Sequence, residues 1–351
     1  MDSTYAGAYG RLKVSRSELL SNAFIDQLNQ KDSDEFVKLL SGTGYRKEID
    51  SLSQLYQLPD LVEVVLNAHM MRMVRNAAFA VPPLARNFVT AYMSKWDIEN
   101  IKTILSSKVL GYPVEYTETF LTVQRGLPVG TFSGTISREE YVKIIEQKDI
   151  EGVVNALVKF GYGTILLKFI EDVKKTNDIS TMVLALDLAY YGKLIQSFKF
   201  YNGDEGPLFE YFRTLIDMRN IMTAIKAVDF GFKNAKEYFI KGGSIPENRL
   251  AEMLTKDVAS LKSEIPFKID DAFEHYRRDP LLAYFESAMR RELYKKYLKL
   301  FDSIPLSLES IIGFMTRSEL ERDELRAVWL AKYYKIGGER AESMRVLKQL
   351  A

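Results

Sequence analysis

The chain has 351 residues, with 48 Lys and Arg against 47 Asp and Glu, a formal net charge of +1. Apolar residues at 47 % and charged residues at 27 % exclude a disordered chain, and the even balance shows none of the basic excess expected of a nucleic-acid binder. With no cysteine and only two histidines, His69 and His275, disulfide frameworks, zinc ribbons and cysteine nucleophiles are excluded, and little remains for His-based metal sites or a Ser/His/Asp triad.

In chain order the sequence reads as helix after helix. The first residues, Met1 to Tyr5, lack the basic start and apolar core of a signal peptide, so a soluble protein retained in its compartment of synthesis is expected. Residues 97–105 set Ile98, Ile101, Ile104 and Leu105 at helical spacing with charges between them. Residues 139–157, 179–194, 209–228, 281–301 and 325–334 give the same pattern. Breaks fall at Gly111-Tyr112-Pro113, at residues 202–207, at Gly242-Gly243-Ser244 and at Gly337-Gly338, where glycine and proline stop helices. The apolar–polar alternation at residues 116–123 is too short to build a sheet, and the longest uncharged run, residues 126–137, is too short to span a membrane. The fold class expected is all-α.

A repeat underlies this pattern. Asp97-Ile98-Glu99-Asn100-Ile101 and Asp217-Met218-Arg219-Asn220-Ile221 share the skeleton Asp-x-x-Asn-Ile, each with a Gly fourteen residues after the Asp, at Gly111 and Gly231. A third, looser copy begins at Glu321 and has Glu324 where Asn would stand, with Gly337 sixteen residues on. Each copy follows a Pro-Leu pair: Pro83-Leu84, Pro207-Leu208 and Pro305-Leu306. A second element also recurs, residues 132–137 after the first copy and residues 240–246 after the second, each ahead of a helix. Two elements recurring in the same order predict three related helical domains, at residues 1–115, 116–235 and 236–351, arranged about a pseudo-threefold axis.

No catalytic motif accompanies the repeat. Phosphate loop, dinucleotide fingerprint, His-Glu-x-x-His and calcium loop are absent from the sequence. Gly130-Thr131-Phe132-Ser133-Gly134 has its Ser displaced from the centre that a nucleophile elbow needs. His69, in an apolar stretch, reads as a hydrogen-bonded, partly buried side chain, and His275 as a solvated helix end. Arg277, Arg278, Arg290, Arg291, Lys295 and Lys296 make the one basic region, read as a solvated face rather than an anion contact. Asp97 with Asn100, and Asp217 with Asn220, stand three apart beside apolar stripes, either tying helices together within each repeat or lining a shared cavity. A catalytic carboxylate pair lacks a His, Lys or metal partner.

The opening Tyr5-Ala6-Gly7-Ala8-Tyr9-Gly10-Arg11-Leu12-Lys13, followed by Leu19-Leu20, resembles the start of the C subunit of archaeal-type ATP synthases, counterpart of the d subunit of the vacuolar ATPase. The Asp97 and Asp217 copies resemble that family's repeated acidic-x-x-Asn-Ile-Arg helices, with Met222 and Glu324 departing from its pattern. The resemblance implies a funnel of three helical domains, peripheral on the cytoplasmic face of the membrane. It implies a non-catalytic socket between the central rotor stalk and the membrane proteolipid ring, serving proton or sodium transport without cofactor, metal, nucleotide or nucleic acid. Under it Asp97, Asn100, Asp217, Asn220 and Glu321 are candidate stalk contacts or structural repeat positions. The competing readings are a free-standing helical adaptor, whose repeats are shorter, and a metal-dependent helical hydrolase.

Overall fold

The computed structural model describes residues 5–113, 123–124, 127–128, 135–198, 206–232, 234–336 and 338–347. The residue 116–122 alternation, the Gly130–Gly134 motif, Gly337, most of the break at 202–207 and the boundary at 115 lie outside the described residues. Among the described residues the structure is helical, apart from one antiparallel pair of two-residue strands, Val123–Gln124 and Leu127–Pro128. It forms two compact units, one of residues Lys47–Phe200, the other of Met1–Arg46 together with Tyr201–Ala351.

Three long helices of 25, 25 and 26 residues carry the repeat: Arg86–Leu110, Gly206–Phe230 and Leu308–Tyr333. The first starts behind a one-turn 3-10 helix led by Pro83, whose fixed φ suits a helix start. It ends at Gly111, held at φ 68°, a left-handed conformation natural to glycine. The second ends in the same way at Gly231, also φ 68°. Against the first packs helix Ser180–Ser197, and their unit is filled by Ile98, Ile101, Ile104, Tyr141, Ile144, Leu166, Leu186 and their neighbours. Against the second packs helix Ala283–Asp302, which also packs on the third. There Tyr211 meets Tyr297 and Phe301 edge-on, with ring centroids 5.4 Å away in each case. Gly313 lets the third helix approach closely: a Cβ there would lie 3.0 Å from the Cβ of Phe301.

Two expected elements differ. Residues 139–157 form two helices, Arg138–Ile145 and Ile150–Ala156, because Asp149 turns extended and caps the second through Gly152 N–H at 2.9 Å. The last helix begins at Leu308, seventeen residues before the periodic stretch, where Ser307 caps it through Ser310 N–H. Gly313, Thr316, Arg317 and Ser318 interrupt the apolar period there, yet Thr316 and Ser318 are buried.

Candidate functional site

The paired polar residues lie inside the long helices and are buried: Asp97, Asn100, Asp217, Asn220, Glu321 and Glu324 are all 0–4 % exposed. Each acid holds the chain just before another helix. Asp97 accepts from Thr135 N–H at 2.6 Å and Ile136 N–H at 3.4 Å, directly ahead of the Ser137 cap of helix Arg138–Ile145. The Thr135, Tyr141 and Tyr162 hydroxyls donate to the same carboxylate at 3.0, 2.9 and 3.2 Å. Burial, then the Asp97 charge, raises both tyrosine hydroxyls above their ordinary range, so they remain donors.

Asp217 accepts from Ser244 N–H at 2.9 Å and Ile245 N–H at 3.0 Å, and from the Ser244 hydroxyl, ahead of helix Glu247–Met253. Gly243 is required for this approach, since a Cβ there would fall 2.2 Å from Asp217 Oδ1. Three residues on, Asn220 binds both backbone groups of Ile240, donating at 2.8 Å and accepting at 2.7 Å.

Glu321 reaches to the other end of the chain. It accepts from Leu20 N–H at 2.6 Å and from the Tyr45 hydroxyl at 2.8 Å. Leu20 stands just before Ser21, which caps helix Asn22–Asn29, so its place matches Ile136 and Ile245 in the other copies. Glu324, in the Asn position, takes Arg345 Nε at 2.6 Å, Val346 N–H at 2.9 Å and Leu347 N–H at 3.1 Å. The N-terminal segment therefore supplies to the third long helix what residues 135–162 supply to the first.

The tyrosines, the Leu20 amide and this pairing of first segment with last helix were missed by reading the copies as a linear series. A signal existed. Asp32 and Asp149 each cap a short helix, and each is followed thirteen residues later by the Tyr of a Gly-Tyr pair, Gly44-Tyr45 and Gly161-Tyr162. The third cap was also misplaced: the left-handed residue is Lys335, φ 54°, fourteen residues after Glu321, as Gly111 and Gly231 follow their acids. All three ends close with the same hydrogen bond: Tyr112 N–H to Ser107 O, Phe232 N–H to Ala227 O and Ile336 N–H to Ala331 O, at 2.8–2.9 Å.

Those ends expose apolar side chains on both sides of the left-handed residue: Leu110 and Tyr112, Phe230 and Phe232, Tyr334 and Ile336 are 44–75 % exposed. Two members of the basic region are paired, Arg290 with Asp323 at 2.6 Å and Arg291 with Asp271, while Arg277, Arg278, Lys295 and Lys296 are exposed, as a solvated face would have them. His69 is buried with Arg72 and Glu48, its Nδ1 3.0 Å from Arg72 Nη2, while His275 lies against the Tyr284 ring. Among the described residues no group of three His, Asp or Glu is placed to hold a metal ion, and no helix is long and apolar enough to cross a membrane.

Comparison with known proteins gives the arrangement its family. The model of the ATP synthase (C/AC39) subunit family matches residues 8–344. The chain is 41 % identical over 340 residues to the C subunit of the A-type ATP synthase of Thermoplasma volcanium, covering 95 % of this chain and 96 % of that one. It is 40 % identical over 356 residues to its namesake from Thermoplasma acidophilum, covering both chains fully, and 25 % identical to that of Methanocaldococcus jannaschii, over 97 % of this chain and 86 % of that one. With the match spanning the first capped helix, all three acidic helices and the last, the chain belongs to the ATP synthase (C/AC39) subunit family.

Proposed function

We propose that the chain is a non-catalytic central-stalk component of a rotary A-type ATP synthase, a socket that couples the rotor stalk to the membrane proteolipid ring. On this reading it is a peripheral protein of the cytoplasmic membrane face, with stalk proteins and ring as partners, and it binds no nucleotide. The observation that carries the proposal is the thrice-repeated anchor in a chain of this family: buried acids lock rigid long helices to neighbouring segments, which is what transmitting torque demands.

Three repeats, at residues 1–115, 116–235 and 236–351, would each end in a long helix whose acid grips the opening of the next, the third gripping the first. The five candidate residues are spent inside this framework, so their structural reading is the one we adopt, and contact falls to exposed surface. The apolar pairs at the three helix ends supply it, resting on the proteolipid ring, since exposed aromatic and aliphatic groups add affinity where polar loops give register.

A variant combining Leu110→Gln, Phe230→Gln and Tyr334→Gln tests this, because these side chains lie outside the core. In the assembled complex it is expected to keep its thermal midpoint and lose most ATP-driven ion transport while ATP hydrolysis by the head continues. Transport at the unmodified rate would overturn the ring contact.

A further inference from the structure

Glu321 differs from the other two anchors in how few donors hold it. Asp97 accepts from five donors and Asp217 from three, whereas two are shown on Glu321, one to each oxygen. This count matters because a carboxylate buried with two neutral donors keeps much of its desolvation penalty. Protonation removes that penalty without breaking either contact. An Oε1–H group can donate to the Tyr45 oxygen, which reverses that bond, while Oε2 continues to accept from Leu20 N–H.

Among the described residues no charged side chain acts on Glu321, and several on the surrounding elements are engaged elsewhere. Arg16 of helix Ala6–Arg16 and Arg317 of the long helix itself meet Asp302 of helix Ala283–Asp302. Asp26 of helix Asn22–Asn29 meets Arg345, which also holds Glu324. Glu35 of helix Ser33–Leu40 faces Lys31, Arg290 faces Asp323, and Arg213 of helix Gly206–Phe230 faces Glu210. Glu342 of helix Gly338–Met344 meets Arg345 and Asn29. Tyr45 is the titratable side chain in hydrogen-bond contact with Glu321.

We propose that Glu321 is a proton-controlled clasp: protonated, it fastens the N-terminal segment through Leu20 and Tyr45 to the last long helix, and ionised, it favours release of that segment. Burial pushes the carboxyl up to about 7 against the pull of its two hydrogen bonds. A released segment returns the carboxyl to the ordinary value of 4.5, so the stability of the closed clasp is complete below 4.5 and is lost as pH rises through about 7. The full change corresponds to a weakening of about 300-fold in the closing equilibrium.

Amide hydrogen exchange of Leu20 in the full chain, corrected for intrinsic exchange, tests the clasp at pH 5, 6, 7 and 8. Protection of Leu20 is expected to fall at least about tenfold across that range, while protection of Thr135, held by Asp97, stays level. Glu321→Gln is expected to flatten the Leu20 profile. Tyr45→Phe, which removes one donor to the carboxylate, is expected to move the midpoint to higher pH, and serves if the Gln variant fails to fold. A level Leu20 profile in the unmodified chain, an equal fall in Glu321→Gln, or an unmoved midpoint in Tyr45→Phe would overturn the proposal.

Discussion

Two buried glutamates show how completely neighbours decide what a carboxyl does. Burial raises both, but His69 and Arg72 pull Glu48 down to about 2, whereas Glu321 has a backbone amide and a tyrosine and stands at about 7. The sign of the pH effect therefore reverses. Glu48 contributes stability above 4.5 that is lost as pH falls towards about 2, and Glu321 contributes below 4.5 what is lost as pH rises through about 7. Asp97 is the most heavily bonded acid of the three anchors, and Asp97→Ala would remove the acceptor shared by the Thr135 and Ile136 amides and the Tyr141 and Tyr162 hydroxyls. Urea denaturation is expected to register a loss of roughly 3–5 kcal/mol, the scale of a broken buried network, and a loss below about 1 kcal/mol would show the anchor to be incidental. The recurrence of Asp97 and Asp217 beside apolar stripes was legible in the sequence. What they hold was not, because the partners lie 27–65 residues away and include backbone amides, which leave no residue-type signature.

At the scale of elements, helix caps carried most of what could be read. Gly111 and Gly231 marked two helix ends correctly, and the third was drawn to Gly337 because a lysine is an unusual occupant of the left-handed region. Lys335 sits there at φ 54° with the same closing hydrogen bond as the two glycines. Lys335→Gly is expected to stabilise the unit by about 0.5–1 kcal/mol in thermal denaturation, since it removes left-handed strain at a solvent-exposed position. A destabilising effect would mean that the lysine side chain has a role beyond capping. The helix at residues 139–157 was read as continuous because Ile144, Ile145, Ile150, Val153 and Val154 sustain a helical period across the Asp149 cap. At Leu308–Tyr333 the opposite held: buried polar side chains hid the first half of a helix that is enclosed over most of its length.

For the molecule as a whole, composition and periodicity were enough for the all-α class, and the resemblance of the opening motif and acidic helices was enough for the family. The pairing of the first segment with the last long helix required coordinates. A chain read from one end has no reason to look 301 residues back for the partner of Glu321, although both fall in the same compact unit. This pairing makes residues 5–45 the counterpart of segments that follow the other two long helices. A helical chain with three such anchors and exposed apolar ends suits a coupler, whereas an adaptor of stacked short repeats would show spacings well under the 120 and 104 residues between these acids.

As proposed above, the chain works as a coupling component of a membrane rotary machine. Affinity purification of the tagged chain from its native membranes in mild detergent, followed by mass spectrometry, tests it most directly. Recovery of a small proteolipid together with stalk and nucleotide-binding proteins of the complex is expected. Recovery of the chain alone, under conditions in which the ATP synthase stays assembled, would contradict it.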